Sequence, residues 1–366
     1  MTDIHATTEA EVADAVRAAR QWKSPLNIAG RRSKRGLGRH VAQWGTVLDL
    51  SGLSGIVDHE PEELVLTVRA ATKVTEIRDA LAARGQQLGF DPPDWGPLFG
   101  APAGEGTVGG AVAAGLCGSR ALRYGRARDH VLGFRAVNGF GEAYKAGGRV
   151  VKNVTGFDLP KLMCASMGTL GPLTELTLRV FPRPDCSAVL VTDEMPPEDG
   201  LACLRRVWSG PLDPSGLMYR AGAAHIRLDG SAEVLKEKIA ALRALLAGVR
   251  LRESADDFDA PMQAPEGALW RLAVPPSEAA SVAAGSGAAD WWADGAGGVL
   301  WIVTDVTADL HPAAARAGGS AVRLTGGGAV PPFAPEPAAR AALTRAVKAA
   351  FDPLGLFNPG RMWEGV

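Results

Sequence analysis

Two glycine-bearing segments of this chain carry the residues best suited to hold an anion. Gly30-Arg31-Arg32-Ser33-Lys34 follows the apolar run Pro25–Ala29, and with Arg35 and Arg39 it puts five cations into nine residues. Gly106-Thr107-Val108-Gly109-Gly110 opens a second stretch, of small residues, that ends at Gly118. Two such loops offer backbone N–H groups, hydroxyls and cations, which together can cradle one pyrophosphate. A solvated basic turn and a nucleic-acid patch are the other uses such cations have. The net charge of -1, from 39 basic and 40 acidic residues, argues against nucleic acid, as does the lack of interleaved aromatics. Gly104, Gly106 and Gly109 also spell G-x-G-x-x-G, but the prolines of Asp91–Pro97 ahead of it rule out the central strand a Rossmann fold requires.

Other chemistries have less to work with. Cys117, Cys164, Cys186 and Cys203 include no C-x-x-C pair, so no iron–sulfur cluster or Cys-rich zinc site is expected on this chain. They read as free cytosolic thiols, Cys117 lying within the second loop region. The six histidines form no H-x-H or H-x-x-x-H pair, and no metal site is expected. Arg271, Arg323 and Arg361 are candidates to clamp a two-carbon carboxylate, since a guanidinium meets that group bidentately. Lys152 and Asn153, just after a glycine turn, are candidates to touch a cofactor or its ligand. His225 reads as an exposed strand residue, and Tyr144 is a remote candidate for acid–base work.

The elements that must position these residues fit two domains in 366 residues. Glycine, at 45 residues, is about 12% of the chain against a typical ~7%, an excess expected in turns and ligand loops. Thr8 and Glu11 form a capping box for a helix over about 8–23. Strands are expected at 25–29, 46–50, 56–57, 64–70, 131–138, 142–145 and 174–181, with a helix at 74–84. The boundaries fall at 1–184, 185–330 and a returning segment 331–366. In the second half, strands at 188–192, 218–219, 225–228, 269–274 and 299–303 and helices near 198–208 and 231–247 suggest a small ferredoxin-like α/β layer. Gly285–Gly298, around Trp291-Trp292, reads as a loop, and no internal repeat is visible. The longest apolar run, Gly109–Cys117, is far short of the ~20 residues of a membrane span, and no signal pattern precedes it. A cytoplasmic protein is expected.

These motifs resemble the FAD-linked oxidases of the vanillyl-alcohol-oxidase, or PCMH, type. Ile28–Lys34 with Gly38-Arg39 is similar to their first pyrophosphate loop. Gly106–Gly110, with Arg123-Tyr124-Gly125 and Arg128–Gly133, is similar to their second loop and the strand after it. Gly148–Leu159, Gly168–Thr174, Phe351-Asp352-Pro353 and Phe357–Arg361 resemble the family's later blocks, in the same order. Within the family, Val151–Leu162, Leu269-Trp270-Arg271, Ala317-Gly318-Gly319 and the short second domain resemble the FAD-binding subunits of bacterial glycolate oxidases.

The resemblance implies an α+β fold: a two-subdomain PCMH-type FAD-binding domain with a small ferredoxin-like α/β cap. It implies FAD as cofactor, held by Gly30, Arg31, Arg32, Ser33, Lys34, Gly106, Thr107, Val108, Gly109, Gly110, Gly118, Asp129, Gly168, Leu173 and Asn358. Covalent attachment in the family uses a histidine in the first loop or a His–Cys pair; here that loop carries Arg31, Arg32 and Lys34, so noncovalent FAD is expected. The family's metal-binding histidine cluster is missing, and Ser320 stands where relatives often have histidine. The resemblance further implies oxidation of glycolate to glyoxylate with a larger FAD subunit and an iron–sulfur subunit as partners. Such a complex is cytoplasmic, or peripheral at the inner membrane through its partners. A stand-alone oxidase of another hydroxy acid and a structural flavin-binding assembly subunit are the alternatives.

Overall fold

The computed structural model describes residues 3–40, 45–148, 157–255, 258 and 262–366. The chain divides into two compact units, the first made of 1–117, 125–182 and 335–366, the second of 118–124 and 183–334.

The first unit begins with a parallel sheet. Strand β1 (Asp3–His5) leads to helix α1 (Glu9–Trp22), and β2 (Leu26–Ala29) and β3 (Thr46–Asp49) follow in the order β1-β3-β2. Thr8 and Glu11 cap α1 reciprocally, as their spacing predicts. The helix buries Val12, Ala13, Val16 and Ala19 in one stripe against Leu26, Leu48 and Leu50. An antiparallel sheet comes next, in the order β4-β5-β9-β7-β8. Its strands are β4 (Ile56–Glu60), β5 (Val65–Arg69), β7 (Val131–Val137), β8 (Ala143–Gly147) and β9 (Leu173–Arg179). Helices α2 (Val74–Ala82) and α3 (Val108–Ala114) share its core through Ile77, Leu81, Val108 and Val112 against Leu66, Val68, Leu176 and Leu178. A short pair, β6 (Gln86–Gln87) with β10 (Phe181–Pro182), completes the strands of this unit.

The second unit is one eight-stranded sheet with helices from each half in its core. Its first half runs β11 (Cys186–Thr192), α4 (Pro197–Trp208), β12 (Gly216–Arg220), β13 (Ala223–Gly230), α5 (Ala232–Leu245), β14 (Leu251–Ser254). Its second half runs β15 (Ala268–Ala273), α6 (Ala279–Ala284), β16 (Asp290–Asp294), β17 (Val299–Thr304), α7 (His311–Arg316), β18 (Ser320–Arg323). Each half is a ferredoxin-like β-α-β-β-α-β unit. The halves meet where β12 pairs with β16, giving the order β14-β11-β13-β12-β16-β17-β15-β18.

Two sequence expectations fail here. The unit contains an internal repeat, which shares connectivity rather than residues and so leaves no trace in the sequence. Gly285–Gly298 is not a loop throughout, because β16 runs through it. Its tryptophans alternate between the two faces: Trp291 stacks on Tyr219 at 5.4 Å and Trp292 on Trp301 at 5.8 Å between ring centroids. The flanking glycines concealed that alternation.

Residues 118–124 lie within the first half of the sequence yet pack in the second unit. Ser119 Oγ accepts a 2.7 Å bond from Arg227, Arg120 pairs with the buried Asp229, and Arg123 pairs with Asp213 at 2.6 Å. At the other end of the chain, helix α8 (Ala338–Phe351) and the tail return to the first unit.

Candidate functional site

A cleft in the first unit is lined by Gly30, Arg31, Arg32, Ser33 and Lys34 from one loop and by Thr107, Gly109 and Gly110 from the other. Gly168, Leu173 and Asn358 also line it. The loops are brought together by small residues. A Cβ on Gly30 would stand 3.1 Å from Thr107 Oγ1, and one on Gly109 would stand 2.7 Å from the Ala70 carbonyl oxygen. Thr107 caps α3 by accepting the Gly110 N–H at 3.1 Å.

Four residues expected in this set lie elsewhere. Val108 is fully buried in the core, one residue into α3. Gly106 lies outside the lining, its carbonyl accepting the Val74 N–H at 2.9 Å. Asp129 folds back on its own turn to accept the Arg126 N–H, and Gly118 belongs to the second unit. Conversely Asn27, Ala70, Ala71, Met167 and Arg361 line the cleft. The Ala70-Ala71 pair at the end of β5 was the signal available for a close backbone approach.

The cations of the first loop do not act alike. Arg32, at φ +60°, turns to Asp3 at 2.6 Å and Asp49 at 3.2 Å and ties β1 to β3. Arg31 pairs with Glu105 at 3.1 Å, while its Nε is buried without a hydrogen-bond partner. Lys34 has no carboxylate within ion-pair distance among the described residues, and Nζ donates to Ser33 Oγ at 3.0 Å. Burial lowers its pKa to about 8, against the raising effect of Asp94. Arg361 is buried and donates to the Lys34 carbonyl at 3.1 Å; burial, then the Arg35 charge, pushes it down to about 10. A cleft holding a depressed lysine and a depressed arginine is under-supplied with negative charge, which is the electrostatic condition for an anion to bind.

The tail seats the remaining lining residue. Asn358 Oδ1 accepts the Ile28 N–H and Nδ2 donates to the Met167 carbonyl, both at 2.8 Å. Gly168, at φ +71°, lies so near that a Cβ would come within 2.7 Å of Asn358 Nδ2. Behind this, Lys348 on α8 donates to the Thr169 carbonyl at 2.6 Å, the Phe357 carbonyl at 2.9 Å and Asp352 at 2.7 Å. Asp352 in turn accepts the N–H groups of Leu356 and Phe357.

With this geometry in place, the relatives are informative. The pattern of an FAD binding domain matches residues 3–147. The chain is 37% identical to the glycolate oxidase subunit GlcE of Escherichia coli (strain K12), over 93% of both proteins. The chain belongs to the GlcE branch of the FAD-linked oxidases. A D-lactate dehydrogenase of Anaerostipes hadrus is 32% identical over 59% of this chain, though the match spans 44% of that protein. Among solved structures, p-cresol methylhydroxylase with substrate bound shares the fold, with a TM-score of 0.72 at 16% identity, covering 98% of this chain and 88% of that one. FAD is therefore the cofactor of this FAD-linked oxidase, and the α+β PCMH-type fold is the one expected.

The candidate catalytic residues of this GlcE-type chain do not converge. Lys152 and Asn153 lie outside the described residues. In the β15–β18 register Trp270 faces Arg323 while Arg271 faces Val322, so the two arginines occupy opposite faces of the sheet and do not clamp one ligand. Arg271 lies over the Trp301 ring at 5.7 Å. His225 is buried, edge-on to Phe258, rather than exposed as its alternation suggested. The Tyr144 hydroxyl is buried among Phe134 and Phe351, which places its pKa far above neutrality. None of the four cysteines is in a disulfide among the described residues, and burial raises Cys164 to about 12. Among the described residues, no cluster of His, Cys, Asp and Glu is placed to hold a metal, and no helix is long and apolar enough to cross a membrane.

Proposed function

We propose that this chain is the FAD-binding subunit of a complex that oxidises glycolate to glyoxylate and passes electrons to an iron–sulfur partner. The observation that carries the reading is the cleft, where two glycine loops meet around a lysine that no carboxylate of the described residues reaches within ion-pair distance, in a chain similar over 93% of its length to a glycolate oxidase subunit. The residues fit the cofactor. The orphaned Arg31 Nε and the Lys34 ammonium suit a diphosphate, and the lack of a side chain on Gly30 and Gly110 lets both loops close on the Thr107 hydroxyl, which a Cβ would crowd at 3.1 and 2.9 Å. Gly168, Leu173 and Asn358 line the same cleft and would position the rest of it, and bound FAD would supply a hydride acceptor. The first loop contains no histidine to form a covalent link, so the FAD is held noncovalently. Arg271 remains the candidate carboxylate anchor. A larger FAD subunit is the economical source of the proton acceptor, because none of the described residues lining the cleft is a histidine. Cysteines outside disulfides suit a reducing cytoplasm. Co-expression with the neighbouring subunits should give a complex that reduces a dye with glycolate, and the activity should vanish when this subunit is omitted. Full dye reduction by the partners without it would contradict the proposal.

The Lys34 environment gives the cofactor affinity a pH dependence. Its lowered pKa leaves the ammonium deprotonated in the apoprotein above about pH 8, whereas a bound diphosphate favours the charged form. Binding then takes up a proton, and FAD affinity is expected to fall as pH rises above 8, by at most about tenfold per unit. Lys34→Met should weaken binding by roughly tenfold or more, from the loss of a hydrogen bond to a charged group, and flatten the profile. Titration of apoprotein, prepared by acid release of the flavin, measures both. An equally steep profile in Lys34→Met, or colour that acid leaves in the protein pellet, would contradict this.

A further inference from the structure

Arg323 closes β18 beneath the glycine loop 325–328, and only 5% of its surface is exposed. Its Nη2 reaches the Gly328 carbonyl at 3.5 Å, a marginal bond, and Nη1 has no hydrogen-bond partner. Opposite it in β15 stands Trp270, fully buried, whose indole Nε1 is also unpartnered. His311, at the start of α7, meets the Trp270 ring edge-on with centroids 5.1 Å apart. His311 Nε2 faces the Pro331 carbonyl at 2.9 Å and so carries a hydrogen, while Nδ1 is buried and unpartnered. Three neighbouring side chains thus each leave a buried nitrogen unsatisfied, although buried polar groups in folded proteins nearly always find a partner.

The charge balance is unusual as well. No carboxylate comes within ion-pair distance of Arg323 among the described residues; Asp309 acts on it only from farther off, with one oxygen accepting the His311 N–H at 2.9 Å. Burial pushes the guanidinium below its ordinary pKa. Above it Gly326, Gly327 and Gly328 hold φ values of +97°, +55° and +94°. A Cβ on Gly328 would stand 3.5 Å from Arg323 Nη1, so the loop leaves the approach to the guanidinium free of side chains. Gly327 and Gly328 are exposed, so the loop that covers the guanidinium is itself at the surface.

We propose that Arg323 and Trp270 form a binding site for a small carboxylate, entered beneath the Gly326–Gly328 loop, with the His311 ring packed edge-on against the indole. The planar fork of Arg323 matches a carboxylate edge, and the indole N–H can satisfy a remaining lone pair. One guanidinium with Asp309 in its field suits a monoanion better than a phosphate dianion. None of these residues lines the FAD cleft, and Arg271 lies on the other face of the sheet. Such a site gives the second unit a ligand of its own, beyond the oxidation reading.

Calorimetric titration of the FAD-loaded full chain with sodium acetate, at ionic strength held constant with sodium chloride, tests this. Wild type should bind acetate saturably, and Arg323→Gln should bind it at least tenfold more weakly. Trp270→Phe keeps the ring and removes the N–H, so it should weaken binding several-fold. Arg323→Lys keeps the charge without the fork and should fall in between; with Trp270→Phe it carries the test if Arg323→Gln does not fold. Phosphate should bind more weakly than acetate. Acetate binding that these substitutions leave unchanged, or no saturable binding in wild type, would overturn the site and make water the occupant of these nitrogens.

Discussion

Gly110→Val is expected to strip FAD from the purified chain while leaving it folded. A Cβ at this position would stand 2.9 Å from Thr107 Oγ1 and 3.6 Å from Lys34 Nζ. Valine therefore displaces the Thr107 hydroxyl and puts its methyls beside the cation that the diphosphate needs. Losing the Thr107 cap costs about 1 kcal/mol, which a domain of ordinary stability survives. Blocking the cleft should cost at least ~100-fold in affinity, or about 2.7 kcal/mol. Gly109→Val should behave differently. Its Cβ would meet Ala70 O at 2.7 Å and Ala70 Cβ at 2.8 Å, mostly backbone that cannot swing away. That overpacking adds roughly 1–3 kcal/mol of destabilisation, so this variant should lose both flavin and stability. Flavin absorbance per protein and a thermal melt read the two effects separately. Wild-type flavin content in folded Gly110→Val would mean that the second loop does not face the cofactor.

Lys348→Met is expected to give the largest loss of stability of any single change discussed for this chain. The Lys348 and Asp352 side chains are 5% and 0% exposed, and the ammonium joins α8 to two carbonyls, of Thr169 and Phe357. Removing it leaves the Asp352 carboxylate buried without its counter-charge and both carbonyls short of a donor. Breaking one side of a buried pair typically costs about 3–5 kcal/mol. Flavin retention should fall too, because Asn358 is seated by the same tail. Adding Asp352→Asn should recover part of the loss, since it removes the stranded charge. Urea unfolding of the two variants gives the numbers. A loss below about 1 kcal/mol in Lys348→Met would show that the tail is held by packing alone.

Local rules made much of the first unit legible. The Thr8–Glu11 box starts α1, and the loop chemistry of Gly30–Lys34 and Gly106–Gly110 led to the cleft. The charges were visible but their partners were not. Five neighbouring cations looked equivalent, and only the fold shows that Arg32 is engaged by Asp3 and Asp49 while Lys34 has no carboxylate within ion-pair distance among the described residues. Those carboxylates lie on different strands, and no spacing in the sequence announces them. The second unit was harder to read. β16 lies among glycines, β18 is four residues long, and the two βαββαβ halves share a topology that no residue pattern repeats. Lys348 and Asp352 look like an ordinary surface pair at helical spacing until the tail folds over them.

In the proposed function this subunit holds FAD but relies on a partner to oxidise glycolate. A hydroxy acid must have its carboxylate held and its hydroxyl proton removed as its hydride leaves, and none of the residues lining the cleft is a histidine. Mixing the isolated, FAD-loaded chain anaerobically with excess glycolate, and following loss of the visible flavin absorbance, is the most direct test. No bleaching is expected on the timescale on which the co-purified complex is reduced. Rapid and complete bleaching of the isolated chain would place the whole active site on this subunit and contradict the account.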